Sequence, residues 1–312
     1  MKGEAERRPI LVAGAHRTGT TWVGKMLAAS GEAAYISEPL NVWHRPGVLR
    51  IPIEHWYIYI CPQNEAGFLA ALGETLRFHY HPWAELKSLR SRKDALRMGR
   101  DWSIFWKGWL LRQRPLFKDP FAIFSAPWFA DRLGFQVVIT VRHPAAFVSS
   151  LKRLNWSFEF ADLLNQPLLM QDWLEPFRDE METMLQTPND LIGQAGLLWR
   201  MVYQVVGSLR TRYPQFQIVR HEDLSTDPIK GFAALYDCLG LEFTPQAGQV
   251  VLKSSSSENP QEISKKAVHN YRVDSQANLN NWKRRLSPQE IARIRALTEE
   301  AADQFYPDLG WE

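Results

Sequence analysis

An α/β fold with a central parallel sheet flanked by helices is predicted by three observations. Pro9–Trp22, PILVAGAHRTGTTW, runs from an apolar strand through a glycine-punctuated turn into two threonines that open a helix. Gln136–Val141, QVVITV, is apolar on both faces, as a central parallel strand must be when helices cover it on both sides. The strand-then-helix rhythm recurs along the chain, with polar turns where the strands end.

Taken in order, Ile10–Ala13 is a short buried strand, and Thr20–Ser30 a helix ended by Gly31. A second strand, Ala34–Ser37, runs into Glu38-Pro39, where proline is expected to hold the glutamate before it extended. Residues 41–112 are irregular and rich in Trp, Tyr, His and Pro, and read as loops and helices over the sheet edge. Trp102, Phe105, Trp106 and Trp109 share one helical face there, a spacing that favours core over a ligand platform. A strand at Arg114–Phe117, a helix near Ser125–Leu133 and the QVVITV strand restore the rhythm. Arg142-His143-Pro144 ends that strand and opens a helix to about Leu154.

A second aromatic and acidic excursion occupies 155–189, followed by a long amphipathic helix (Asp190–Tyr213) and a strand (Phe216–Val219). His221–Leu224, HEDL, is assigned to fixing that strand end and the neighbouring loops through Glu222 and Asp223. Ser254–Asn281 is polar and serine-rich, a loop long enough to be either disordered or a flap closing over substrate. Ser287 caps a last helix, with Pro288 at its first position and Glu290 three residues on. No repeat or linker divides the chain, so a single domain over 1–312 is expected, with insertions at 41–112 and 155–189 and a carboxyl-terminal loop and helix over 254–312.

Composition narrows the function. The chain has 312 residues, 45% hydrophobic and 23% charged, an ordinary globular balance. A formal charge of +3 suits an anionic ligand but is too small to argue for nucleic acid. Cys61 and Cys238 cannot make a disulfide framework or a zinc site, and both are expected to be buried, inert thiols. No apolar stretch approaches the ~20 residues of a membrane span, and Met1–Arg8 lacks the apolar core of a secretory signal. A cytoplasmic protein without a membrane span is expected.

The first loop has the spacing GxxxxG-K-[ST] from Gly14 to Thr21, except that Thr20 stands where a nucleotide triphosphatase has its lysine. Backbone N–H groups and the helix dipole still suit an anion, and Arg17 supplies a cation three positions earlier. A loop without that lysine fits a phosphate donor other than a nucleoside triphosphate. The second feature, VRHPAAFVSS, also follows a strand, with Arg142 on the turn and Ser150 two turns into the helix. Ligands collect at the carboxyl ends of parallel strands, so two anion sites there suggest two separated phosphate groups on one ligand.

GAHRTGTTW and VRHPAAFVSS together resemble the signatures of sulfotransferases that use 3′-phosphoadenosine 5′-phosphosulfate (PAPS). ISEPL, FKDP, VRHEDLSTDP and a late NNWKRRLS extend the resemblance loosely over most of the chain. It implies a P-loop kinase-like three-layer fold, PAPS as sulfuryl donor and adenosine 3′,5′-bisphosphate (PAP) as product, with no metal. By that resemblance Arg17, Thr18, Gly19, Thr20 and Thr21 hold the 5′ end of the donor, Arg142 and Ser150 hold the 3′-phosphate, and Trp22 lies near the adenine. ISEPL is similar to the glutamate-proline motif of the carbohydrate and bacterial branch, which implies Glu38 as general base; the alternative is a structural glutamate paired with a cation.

Lys118 in FKDPF resembles the catalytic lysine of the protein-tyrosine branch, against a surface lysine paired with Asp119. Ser275, in YRVDS, resembles a serine that the same branch carries close to the sulfate bridge, and with Arg272 it could close over the nucleotide; the alternative is a solvated loop. His44, His79 and His81 are rival bases, but their surroundings match nothing in the histidine-using branch. Trp43, Trp56, Tyr57, Tyr59 and Phe78–Trp83 could line an acceptor cleft.

The expected function is sulfuryl transfer to a hydroxyl or amine of a small-molecule, glycan, lipid or peptide acceptor. Two alternatives remain: a P-loop kinase with a drifted loop, and a catalytically silent nucleotide-binding protein. The missing lysine, and the lack of a carboxylate ending the VVITV strand to hold magnesium, argue against the kinase.

Overall fold

Five parallel strands form one sheet in the order β2-β3-β1-β4-β5 in the computed structural model, which describes residues 8–43, 45–262, 271–306 and 310–311. The strands are β1 (Ile10–Gly14), β2 (Ala33–Ser37), β3 (Arg114–Lys118), β4 (Gln136–Val141) and β5 (Gln217–Arg220). Between β1 and β2 lies α1 (Thr20–Leu27), and between β2 and β3 lie α2 (Ala66–Leu76), α3 (Pro82–Ser88) and α4 (Arg92–Leu110). Helix α5 (Ala126–Leu133) joins β3 to β4. Five α-helices separate β4 from β5: α6 (Pro144–Leu154), α7 (Ala161–Leu164), α8 (Pro167–Leu169), α9 (Arg178–Gln186) and α10 (Leu191–Arg212). After β5 come α11 (His221–Thr226), α12 (Pro228–Leu239), α13 (Pro245–Ser255), α14 (Ser275–Leu279), α15 (Asn281–Arg285) and α16 (Pro288–Ala302).

Alternation along β1 builds the layers. Ile10 and Val12 join a core with Val23 and Met26 of α1 and Leu235 and Tyr236 of α12. Leu11 and Ala13 point the other way, into a core with Phe129 of α5, Phe147 of α6 and Leu198 and Val202 of α10. Every one of these four strand residues is fully buried, which is why the strand reads as an unbroken apolar run. Strand β2 is an edge, and α4 packs against it, covering an exposed ladder.

The chain leaves β1 toward β2 on one side and leaves β4 toward β5 on the other, so the connections diverge between the adjacent strands β1 and β4. That switch point opens a crevice at the carboxyl ends of both strands. It is where the first loop and Arg142 meet.

Several expectations are corrected. The Trp stripe is not core: Phe105 is buried, while Trp102, Trp106 and Trp109 are 56%, 52% and 63% exposed. Asp101, Phe105 and Gly108 form the packed seam of α4, and the tryptophans sit about one residue's rotation away from it. Cys61 is buried, but Cys238 is exposed, because Leu235, Tyr236 and Leu239 take the inner face of α12. The polar 254–281 stretch is not one loop: α13 runs to Ser255, α14 begins at Ser275, and residues 263–270 lie outside the described residues. Glu38 is not extended but has φ +50°. Among the described residues, no helix is long and apolar enough to cross a membrane.

Candidate active site

The first loop, Ala15–Gly19, is shaped from inside. Thr18 is fully buried, its hydroxyl donating to the Ala15 carbonyl at 2.6 Å and sharing a 2.7 Å hydrogen bond with Thr140 of β4. Its N–H also turns back to Ala15. Thr18 therefore holds the loop's form and is not brought to the cavity wall. Gly19, at φ +98°, is the N-cap of α1, and no side chain caps that helix. A Cβ there would lie 2.7 Å from His221 Nδ1, so both backbone angle and space require glycine. The uncapped first turn, with Thr20 and Thr21, faces a cavity of about 90 Å³.

That cavity is lined by Arg17, Gly19, Thr20, Thr21, Trp22 and Arg142, together with His221, Ser254, Tyr271, Val273, Ser275 and Asn278. Arg142 Nη1 donates to the Arg17 carbonyl at 3.1 Å, and Arg17 Nε donates to Ser150 Oγ at 3.4 Å. The structure thus brings Arg17, Arg142 and Ser150 together across the crevice, Ser150 reaching it from two turns inside α6. Burial and the neighbouring charges of Arg142 and Arg153 push Arg17 down to about 10. Burial likewise lowers Arg142, with Glu222 opposing. Such a concentration of desolvated cations is stabilised by an anion.

Trp22 is buried, its Nε1 donating to Ser254 Oγ at 2.8 Å and its ring set edge-on to His221 at 5.5 Å. Ser275 is also on the wall but buried, its hydroxyl donating to the carbonyls of Ser225 (3.1 Å) and Ser255 (3.4 Å). Arg272 is exposed and does not line the cavity, although its neighbour Tyr271 does.

Glu38 and Lys118 are assembled by the β2–β3 ladder. Ser37 pairs with Lys118 in register, and Glu38 N–H donates to the Lys118 carbonyl at 2.7 Å. One residue beyond the ladder, the Glu38 carboxylate reaches back to Lys118 Nζ in an ion pair. Lys118 is only 1% exposed, so the surface-lysine alternative does not hold. Asp119 instead turns into the protein, accepting from the N–H groups of Leu40 (2.6 Å) and Phe121 (3.0 Å). The guanidinium of Arg45 donates to the Ser37 carbonyl and, at 3.4 Å, to that of Glu38. These contacts hold Glu38 at positive φ, a strain of about 1–3 kcal/mol that overrides the extended preference set by Pro39.

A second cavity, of about 380 Å³, is lined by Arg17, Thr20, Thr21 and Glu38 on one side and by Trp43, Trp56, Phe121, Trp156 and Phe158 on the other. Trp43 and Trp56 thus line a cleft as expected. Tyr57 is instead fully buried, and Tyr59 lines a separate hollow with Trp128 and Asp172. His79 and His81 stack on each other beside Glu74, off this cleft, and His44 lies outside the described residues.

Three residues escaped sequence reasoning. His16, in the first loop, lines the second cavity; its Nδ1 lies 2.7 Å from Tyr57 Oη, and burial pushes it down to about 4, so it is neutral at pH 7. His221 lines the first cavity with both ring nitrogens buried and without a hydrogen-bond partner among the described residues, and burial holds it neutral. Arg142 Nε is orphaned in the same way. Tyr271 also lines the first cavity. HEDL contained the signal for His221: an ionisable side chain directly after a parallel strand. Glu222 does fix the neighbouring turn, accepting from His143 N–H at 3.0 Å and from Tyr306 Oη at 2.7 Å.

No curated protein matches the chain by sequence. Among solved structures, it is similar to the sulfotransferase domain of the curacin biosynthetic pathway, at 17% identity over 93% of this chain and 96% of that one, with a TM-score of 0.46. It is also similar to the sulfotransferase domain of the Synechococcus PCC 7002 olefin synthase, at 19% identity over 99% of both chains and a TM-score of 0.49. A mouse sulfotransferase complexed with PAP aligns at 11% identity over 95% of this chain and 84% of that one, with a TM-score of 0.44. At such identities and scores these likenesses carry no functional argument. The family comparison does: the sulfotransferase family model matches residues 9–245, from the strand before the phosphate loop to the start of α13, and the chain belongs to that family.

Proposed function

We propose that this sulfotransferase takes its sulfuryl group from PAPS and transfers it to a hydroxyl in the aromatic cleft, with Glu38 as general base. The observation that carries the reading is that Arg17, Thr20 and Thr21 line both cavities, so one loop meets a donor on one face and an acceptor on the other. The orphaned Arg142 Nε and His221 nitrogens fit the donor's phosphate and base, which would supply the partners they lack.

In this reading the donor's 5′ end lies on the uncapped first turn of α1, and its 3′-phosphate near Arg142 and Ser150. The acceptor oxygen attacks sulfur as Glu38 accepts its proton, and the bond from sulfur to the bridging phosphate oxygen breaks to release PAP. Arg17 and Lys118 stabilise the charge that gathers on the leaving phosphate and the transferred group. The Lys118 ammonium also holds the Glu38 carboxylate in place before the acceptor enters. His16 supports a second reading, because it is neutral and lines the same cleft. Lowered to about 4, that imidazole has no advantage in basicity over a carboxylate, and its Nδ1 is engaged with Tyr57 Oη at 2.7 Å, which favours Glu38.

Glu38→Gln keeps the side chain's shape and removes the base. Turnover with labelled PAPS and a working acceptor is expected to fall by about 10²–10⁴-fold, with PAP affinity unchanged. Full turnover in that variant, with loss in His16→Gln, would transfer the role to His16.

A further inference from the structure

Glu38, with Thr21, Asn41 and Trp43, belongs to the walls of two cavities of opposite chemistry. One is the aromatic cleft. The other, of about 410 Å³, is lined by six cationic side chains (Lys25, Arg45, Lys93, Arg97, Arg100 and Lys118) and two carboxylates, Glu38 and Asp101.

Those carboxylates are already engaged. Glu38 pairs with Lys118, and Asp101 with Arg45 at 2.6 Å and Arg100 at 3.3 Å. Arg97 reaches outside the wall to Asp94 at 2.9 Å and Glu85 at 4.0 Å. Lys25 and Lys93 make no ion pair among the described residues; Lys25 Nζ instead lies 4.2 Å over the Tyr271 ring.

A solvated surface would explain Lys93 and Arg100, which are exposed. It does not explain Lys118, which is buried, or Arg45, whose side chain is 10% exposed, or the half-buried Lys25. Lys25 is lowered by burial and then by the like charges of Arg100, Lys118 and Arg272. With Lys118, Arg45, Arg97 and Arg100 already paired, Lys25 and Lys93 leave the wall with positive charge in excess, which an entering anion would balance.

We propose that the acceptor is an amphiphile whose hydroxyl lies between an apolar body seated in the aromatic cleft and a carboxylate or phosphate monoester bound in the basic cavity. This rests on the sulfuryl-transfer reading, since it places the acceptor oxygen at Glu38. It goes further by placing the hydroxyl only a few bonds from an anion, rather than at the tip of a chain. Neutral phenols and simple alcohols would fill the aromatic cleft and leave the basic cavity without a counter-charge.

The test uses three probes on the full chain by calorimetry: 3-hydroxydodecanoate, 2-hydroxydodecyl phosphate, and methyl 3-hydroxydodecanoate as the neutral control. PAP is titrated first, and each probe is then measured with and without it. One or both anionic probes are expected to bind about tenfold or more tightly than the ester at low salt, and the advantage should shrink as ionic strength rises. The carboxylate and phosphate arms identify which anion is preferred. The charge reversal Lys93→Glu with Arg100→Glu lies outside the transfer machinery. It should weaken the advantage while leaving ester and PAP affinities unchanged, and Lys25→Gln should reduce it as well. Equal binding of all three probes, binding of none, or an advantage undiminished by both variants overturns the inference. Failure of PAP to bind would instead count against the sulfuryl-transfer reading, and the arms without PAP would still decide this one.

Discussion

Asp119 follows Lys118 in sequence but faces away from it chemically, fully buried and, among the described residues, bonded only to backbone N–H groups. Burial, and then the charge of Glu38, push it from 3.8 up to about 7. Its folded value lies above its unfolded one, so across roughly pH 4–7 the native state keeps a proton that the unfolded chain releases. Stability from this group is therefore full below about pH 4 and is lost as pH rises toward 7. Urea midpoints measured from pH 4.5 to 7.5 should show that decline, and Asp119→Asn should flatten it, at the cost of one backbone hydrogen bond, about 1 kcal/mol. The aspartate's position was legible in FKDP, but its direction was not. A lysine and an aspartate adjacent in a strand point to opposite faces, so adjacency argues against the pair it suggests. The Pro39 rule failed at Glu38 for a related reason: the contacts of Asp119 and Arg45 that hold the turn come from elsewhere in the chain.

At the level of elements, two helices show what a missing cap means. Helix α16 begins with a complete capping box, Ser287 and Glu290 each satisfying the other's backbone N–H. Ser287→Ala should cost about 1 kcal/mol, seen as a lower urea midpoint with PAP affinity unchanged, because α16 packs on α10 away from the cleft. Helix α1 begins at Gly19 with no side-chain cap, leaving its first amides to the cavity. Both helix starts were readable as strings, since caps and glycine turns are local. The face of α4 was not. The tryptophan stripe and the seam of Asp101, Phe105 and Gly108 lie about 100° apart with the same periodicity, and the partners that cover the seam, β2 together with Phe78 and Tyr80, come from elsewhere in the chain. The boundaries of β5 and HEDL shifted for a similar reason, the tetrad folding into its own short helix, α11.

For the whole molecule, the first cavity, proposed as the donor site, joins segments from both ends of the chain: β1 and α1, the β4–α6 turn, α11, and the α13–α14 region. A ligand bound across them should stabilise the fold as a unit. PAP at 100 times its dissociation constant should add about 2.7 kcal/mol, which for a chain of this size is roughly a 5 °C rise in melting temperature. A flat melting curve across a PAP titration would contradict donor binding at this site. The parallel sheet and ligand groups at the carboxyl ends of its strands were foreseeable from the apolar strands, and Trp43 and Trp56 as cleft residues from the aromatic insertion, whereas the strand order and the basic cavity were not, because insertions without a repeating pattern build most of that wall. Glu38 and Lys118 stand eighty positions apart along the chain, yet a single ladder contact makes them neighbours. Everything between them, three helices included, hangs from that contact as an excursion that returns to its starting point. The sheet thus assembles the Glu38–Lys118 pair, while Asn41 on the Glu38 carboxylate and Arg45 on the Ser37 and Glu38 carbonyls tie it to the segment that supplies Trp43, Trp56, Arg97 and Arg100. Evolution, or an engineer, that regrafts this excursion while keeping Asn41, Arg45 and its partner Asp101 is therefore expected to change what the enzyme accepts without retuning how it reacts.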